Sequence, residues 1–546
     1  MLKKIFIKLV VYTITVLYLT PTQVVYQLFY RFRNINKIST SRLILKKMFI
    51  KNVDIICHTD KSITLETFEF FDQRCFVQEC EWYDDTKGKL FNFHLNYHDF
   101  LLSKNLSLAE KSNLLDNWLS VETLNEVRSN PYVISLRLVN WCKYFCHYNQ
   151  SPSNEALDSF WRDYYHLVDN KEYHILGNHL FANLKAIILC SLFSYEIDSR
   201  EIGKNALLEL FDQLDKQILK DGAHFEKSPM YHAIILEDLL DIINFFNCYE
   251  INSNEVTKLK VYVEKMFFWL VHFTYPGGDF ALFNDTIQGN SKNFEELENY
   301  YNSLFGSDLN SDISGDIYFQ ESGYTCVCFD NAYGIFDVGN IGPSYLTGHS
   351  HADVGSFELI VKSCKIFTNL GTSTYERSER RHFERSSPAH NTLQLNDKSS
   401  SYTWSAFRTA GRSKVLEASF DSGKCSRSLS LKYTGFGFFF QKRKHNRRFD
   451  FGSNQLKITD AVTARALNYD KKDIFFHLHP SNSIAQLNKN TMLIVTKKGH
   501  SLTISCNYEM TLIDSKISDG FNRLVDTRSI RVTTMSDANI VSNIIW

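Results

Sequence analysis

No CxxC pair occurs among the 12 cysteines, which are scattered from Cys57 to Cys506. That spacing excludes a zinc ribbon and a compact disulfide framework, so the thiols are expected to be free and mostly buried. An excess of basic charge is also missing. Lys and Arg number 60 against 61 Asp and Glu, a net charge of −1. No nucleic-acid partner is therefore expected, because such chains carry a basic surplus. After the first residues, no apolar run approaches the ~18 needed to span a bilayer. There is no internal repeat and no low-complexity segment. What remains reads as globular: 546 residues, 44% hydrophobic and 22% charged. That length exceeds one ordinary core and implies two or three domains. Aromatics reach 14%, which suits a large core or a cleft that stacks on sugar rings.

The start, "MLKKIFIKLVVYTITVLYLTPTQ", has basic residues before an apolar run, as a signal peptide does. Lys8 interrupts that run, and no small-residue cleavage site follows. The continuation "QVVYQLFYRFRNINK" has the pattern of an amphipathic helix lying on the protein or on a membrane surface. Residues 1–50 are therefore read as a retained basic leader, with peripheral membrane contact through residues 1–35. Periplasm and cytoplasm both stay open as compartments.

From about 91 to 305 the apolar period is helical. "ILGNHLFANLKAIILCSLF" puts Leu176, Leu180, Leu184 and Ile187 on one face. "SPMYHAIILEDLLDIINFF" follows a Ser-Pro start signal. "EVTKLKVYVEKMFFWLVHFT" is a third such helix. About ten helices are expected. "FEFFDQRCFVQECEWYDD" before them reads as irregular or short strands. "GSDLNSDISGDIY" reads as a linker, and after it the period becomes two in "TCVCFD", "YGIFDVG", "SFELIVKS", "LKITDAVT", "SLTISC" and "SIRVTTM". The expectation is an α+β multidomain chain: a helical domain over 51–315, then an antiparallel β-sandwich over 316–546, with the site at their junction.

Four constellations carry chemistry. "GNHLFANLK" places Asn178 and His179 at a helix start, where Asn also serves as a cap. "DGAHFEKSPMYHAI" gathers His224, Glu226, Tyr231 and His232 before an apolar helix. In "TGHSHADVGSFELIV", strand alternation would point His349, His351 and Asp353 to one side, for metal or shared proton chemistry, with His390 of "SPAHNTLQL" as a distant partner. "TYERSERRHFERSSPAHN" packs Arg377, Arg380, Arg381 and Arg385 into nine residues, a solvated loop or a carboxylate or sulfate site.

Together "LNYHDFLL", "SLRLVNW", "GNHLFANLKA", "DGAHFEKSPMYHAIILEDLLD", "GDFALFND", "GHSHADVGSFEL" and "SPAHNTLQLN" resemble the heparinase II/III-like family of polysaccharide lyases, in the family's order over about residues 90–440. "YLTPTQVVYQLFYRFR" also resembles the leader of bacterial members. The resemblance implies an incomplete α/α toroid followed by an antiparallel β-sandwich. It implies β-elimination on a uronic-acid-containing acidic polysaccharide, with no organic cofactor. The carboxylate-neutralising Asn falls on Asn178, with His179 beside it. The proton-transfer pair falls on Tyr231 and His349, the assignment of base and acid depending on the epimer cleaved. Substrate contacts are expected from Arg137, Glu226, Tyr375, Arg381 and Arg385. The family's zinc ligands fall on His351, Asn369 and His390, but members usually have Asp where Asn369 stands. Two other readings compete. A hydrolase would pair Glu226 with Asp279 or Asp285 about 5–10 Å apart. A non-catalytic factor in surface-polysaccharide assembly would keep the fold without turnover.

Overall fold

The structure, a computed structural model, describes residues 2–32, 48, 50–53, 63–64, 66–76, 82–121, 126–251, 253–306, 309, 315–423, 427–437, 443–463 and 470–546, with the side chains of 2–7 excepted. Leader residues 33–47 and 49, most of the predicted linker, and Cys57, Cys80 and Cys425 lie outside the described residues. The nine described cysteines are free thiols.

Two helices, α1 (Leu2–Leu17) and α2 (Pro21–Phe32), lead the chain and meet at 113°. A short hairpin, Thr67–Phe70 with Gln73–Phe76, follows. The helical body comprises α3 (Lys89–Leu95), α4 (Leu108–Ser120), α5 (Pro131–His147), α6 (Asn154–Asp169), α7 (Gly177–Leu192), α8 (Ile197–Gln217), α9 (Pro229–Cys248), α10 (Ser253–Val271) and α11 (Phe294–Phe305). Their starts are written locally. Asn130 and Ser228 accept hydrogen bonds from first-turn backbone N–H groups, and each precedes a proline at the first helical position. The helices pack as successive hairpins into an incomplete α/α toroid. α5, α7 and α9 are buried nearly all round, which is why their sequences are apolar on more than one face.

The C-terminal part is antiparallel throughout. A five-stranded meander (Ile317–Phe319, Tyr324–Phe329, Ala332–Asp337, Phe357–Val361, Cys364–Phe367) comes first. An eight-stranded sheet runs, in spatial order, Lys414–Ser422, Arg427–Gly435, Arg443–Gly452, Gln455–Thr463, Ile540–Ile545, Ser501–Cys506, Thr491–Val495 and Ser483–Asn488. A four-stranded sheet of Met510–Ser518, Leu524–Thr534, Lys472–His477 and Leu393–Leu395 completes the sandwich. Each predicted period-two run overlaps a strand, four of them overrunning its end by one or two residues. The core of the helical body extends into the meander through Phe319, Tyr324, Cys326 and Ile335. The two parts thus share apolar contacts, and both line the groove between them.

Candidate active site

The groove is a cleft of about 870 Å³ lined by both parts and by the leader. Three non-glycine residues with positive φ stand beside its working side chains: Leu176 (φ 69°, ψ −156°), Lys227 (φ 60°) and Asn284 (φ 53°). Each such conformation costs on the order of 1–3 kcal/mol, so the surrounding contacts must hold it. Leu176 and Gly177 turn the chain so that Asn178 enters in the first turn of α7. Gly177 is itself left-handed (φ 58°), and a Cβ there would lie 2.4 Å from Leu346 and 3.0 Å from Glu226. Lys227 follows Glu226 and precedes the Ser228 cap, which accepts from the backbone N–H of Tyr231. Ser228 Oγ also donates to the carbonyl of Asp285 at 3.1 Å, tying α9 to the next segment.

Asp285 is the hub. It is fully buried, and five donors converge on its carboxylate. His349 Nδ1 lies 2.9 Å from Oδ2, His351 Nε2 lies 2.8 Å from Oδ1, and Thr372 Oγ1 lies 3.1 Å from Oδ1. Arg381 binds both oxygens, at 2.5 and 2.6 Å. Burial alone would raise the Asp285 pKa. The Arg381 guanidinium and the hydrogen bonds from His349 and His351 outweigh it and hold the carboxyl well below its ordinary value. An ionised Asp285 accepts the Nδ1 proton of His349, and this leaves Nε2 as the basic lone pair of that ring.

On the cleft side, the rings of Tyr231 and His349 pack together with centroids 4.0 Å apart, tilted by 37°. Tyr231 Oη lies 3.0 Å from Tyr375 Oη. Burial, then Tyr375 and Asp285, push the Tyr231 phenol well above its ordinary value, so it stays protonated. Asn178, His179, Tyr231, His349, Tyr375 and Glu226 all line this one cleft. Among the described residues the Asn178 side chain is not engaged by another group, which leaves its amide available; it is a first-turn residue and not the cap. His179 lies 3.1 Å from Glu172 and stacks on Tyr132. Glu226 is buried with neither carboxyl oxygen partnered among the described residues, and burial raises its pKa. Lys292, which nothing in the sequence singled out, also lines the cleft. It is 5% exposed, and its ammonium has no partner among the described residues.

Several expectations are corrected. Arg137 does not line the cleft: it is buried under the fold, pairs with Asp163 at 2.6 Å and donates to the carbonyl of Arg128. Arg381 is fully buried and spent on Asp285. Arg385 is fully buried and donates to the carbonyls of Ser350, Thr347 and Ala406. The arginine cluster braces the histidine loop from behind. That loop is not strand: residues 349–355 precede the strand Phe357–Val361. The two histidines share a target because the loop wraps Asp285. Asp353 turns away toward Lys227 and Asp337, and burial raises its pKa to about 6. The paired-carboxyl hydrolase fails on the same geometry. Asp285 is sealed, and Asp279 faces outward to Lys365.

The residues matching zinc ligands do not fit the metal. His351 Nδ1 and His390 Nε2 face each other at 3.2 Å, but Asn369 Oδ1 lies against the opposite nitrogen of His390, at 3.1 Å, and accepts from Ser356 as well. The three donors do not converge on a point, and none is a carboxylate. Burial keeps both rings neutral, His351 at about 4 and His390 well below its ordinary value. Turning the Asn369 amide brings its Nδ2, otherwise unpartnered, to donate to His390 Nδ1. A relay then runs from Asn369 through His390 and His351 to Asp285 without a cation. Chelation is expected to leave turnover unchanged. A rate lost on prolonged chelation and restored by zinc would contradict this.

Residues 122–310 match the model of the heparinase II/III N-terminus, and residues 314–543 match the model of the heparinase II/III-like C-terminal domain. The chain belongs to the heparinase II/III-like family. A heparin-sulfate lyase of Bacteroides stercoris is 26% identical over 299 residues, a match covering 49% of this chain and 43% of that protein. The crystal structure of heparinase III aligns with TM-score 0.67 at 15% identity, covering 96% of this chain and 89% of that one. Heparan sulfate lyase HepC of Pedobacter heparinus aligns with TM-score 0.57 at 15% identity, covering 88% and 81%. The match thus spans under half the length of the curated relative, while the heparinase fold extends over nearly the whole chain. Within this heparinase II/III-like frame, the sequence alone does not single out Lys292, and it offers Asp285 only as a hydrolase carboxyl and not as the hub behind the histidines. "GDFALFND" marked the hub's position, but only the buried Arg381 shows its role.

Proposed function

We propose that the protein is a polysaccharide lyase that cleaves a uronic-acid-containing acidic polysaccharide by β-elimination. One observation carries the reading. Tyr231 and His349 stand in contact, with His349 oriented by an ionised carboxylate, in a cleft that also holds the amide of Asn178. The relatives' names, heparin-sulfate lyase and heparan sulfate lyase, point to the same class of polymer.

The proton at C5 of a uronate is a poor acid while its carboxylate is charged. Asn178 donates to that carboxylate from the first turn of α7, where the helix end favours negative charge. The enolate-like intermediate is stabilised by the same contact. His349 Nε2 removes the C5 proton, and Tyr231, kept protonated, gives its proton to the departing glycosidic oxygen. The C4–O bond breaks as the C4–C5 double bond forms. The proton held by His349 then passes back to the Tyr231 phenolate beside it, while the Tyr375 hydroxyl hydrogen-bonds the phenol oxygen.

Lys292 fits a second anionic group of the polymer, a carboxylate or sulfate on a neighbouring sugar. Lys292→Gln is expected to raise KM roughly tenfold or more, since hydrogen bonds to charged groups contribute about 1.5–3 kcal/mol, with little change in kcat. A kcat loss at unchanged KM would remove Lys292 from substrate binding. Mass spectrometry of the products tests the reaction class. Elimination gives fragments one water lighter than hydrolysis does. Fragments from the wild-type protein that are all hydrated, with no unsaturated new non-reducing end, would refute the lyase.

A further inference from the structure

The leader's second helix is amphipathic in the wrong sense for a helix bathed in water. Gln23, Tyr26 and Tyr30 face the protein. Gln23 Nε2 reaches the carbonyls of Ile175 and Tyr345, on opposite sides of the cleft, at 3.3 and 3.4 Å, and Tyr26 packs on Tyr173. Outward stand Pro21, Val25, Leu28 and Phe32, at the 3–4-residue spacing of one helical stripe. Val25 is 61% exposed and Phe32 is 87% exposed. The first helix repeats the pattern. Val11 and Ile14 are buried against Ala410, while Val16 and Leu17 are exposed, Leu17 by 75%. A water-facing helix turns its apolar stripe inward. These two helices are fixed to the body by polar contacts and by a small apolar and aromatic set, Val11, Ile14 and Tyr26 among them, and still present aliphatic and aromatic side chains outward.

The sequence around the stripe says what covers it. The first 53 residues carry ten Lys and Arg and no Asp or Glu, in a chain whose net charge is −1. No single helix here is long and apolar enough to cross a membrane, and the 113° bend keeps the pair from forming one straight span. An apolar stripe about three turns long, flanked in the sequence by concentrated positive charge, matches the headgroup region of an anionic bilayer. We propose that the leader docks the protein on an anionic membrane surface through the outer stripes of α1 and α2.

The opposite side of the same helices builds the cleft, where Thr15, Tyr18, Leu19, Gln23 and Gln27 form part of the wall. Arg412 stacks over Tyr18 at 3.5 Å, and Trp404 donates to Thr15 at 3.1 Å. The cleft therefore opens within about one helix diameter, ~10–12 Å, of the headgroups. The polymer it takes is one held at or emerging from the membrane surface. This placement goes beyond the lyase reading, and its test does not depend on turnover.

The test is flotation of the full chain with phosphatidylglycerol-containing vesicles and with pure phosphatidylcholine vesicles. Binding is expected to the anionic vesicles only and to weaken with salt. The triple variant Val25→Glu, Leu28→Glu, Phe32→Glu is expected to bind about 100-fold more weakly or worse, with unchanged thermal unfolding because the three sites are exposed. Equal flotation of the variant and the wild type would overturn the proposal, as would a wild-type protein that stays with the buffer. Two further results would also overturn it. One is a purified protein whose N-terminus lies beyond Phe32. The other is a solution dimer abolished by the triple variant, which would show that a second copy covers the stripe.

Discussion

Asp285→Asn is expected to lower turnover by ~10³–10⁴-fold, the size of effect seen when a carboxylate that fixes a histidine tautomer becomes an amide. An asparagine offers His349 Nδ1 either an N–H or a weaker acceptor, so Nε2 is no longer held as the free base. The same substitution is expected to cost about 3–5 kcal/mol of stability, because it leaves the Arg381 guanidinium, fully buried, facing an uncharged group. The two losses are separable. Adding Arg381→Met removes the unpaired charge and should recover much of the stability, while turnover stays low. A folded Asp285→Asn protein with near-wild-type kcat would contradict the account. The carboxyl also sets an acid limit. Its folded-state pKa lies below the unfolded value of ~3.9, so its stabilisation is fully present above that value. It is lost as pH falls through the folded value, and Asp285→Asn should flatten the unfolding profile on that side.

Tyr231→Phe is expected to reduce kcat by ~10²–10⁴-fold, the usual contribution of a positioned proton donor, with KM within about twofold of wild type. The ring contact with His349 survives the change, and only the hydrogen bond to Tyr375 is lost, a stability cost of about 1 kcal/mol. A leaving group that needs no protonation should narrow the gap. If Tyr231→Phe and the wild type turned over such a substrate and the natural polymer in the same ratio, the donor role would be wrong.

The fold was largely legible because periodicity reports burial. Leu180, Leu184 and Ile187 recur at helical spacing because they fill one side of α7, and "SFELIVKS" reads as strand because Phe357–Val361 is one. The positions of Asn178, Tyr231 and His349 came from a family resemblance, and the cleft brings all three together. What the sequence hid was the role of charge. Arg381 and Arg385 look like an exposed basic loop, because a run of charges carries no mark of burial. They are internal because Asp285, about a hundred residues earlier, and a set of loop carbonyls accept their hydrogen bonds. The histidine loop was misread as strand because alternation is satisfied equally by a chain wrapping one carboxylate. Lys292 was invisible for a related reason: a lysine's lack of a partner is a fact of three dimensions.

The most direct test of the central claim is the ultraviolet absorbance of a 4,5-unsaturated uronate, followed while the wild-type protein and His349→Ala meet a panel of acidic polysaccharides that includes heparan sulfate, hyaluronan, alginate and bacterial capsules. The account predicts a rise with at least one polymer for the wild type and none for His349→Ala, with both proteins unfolding at similar temperatures. A rise of equal rate in both, or new reducing ends without the absorbance, would contradict it.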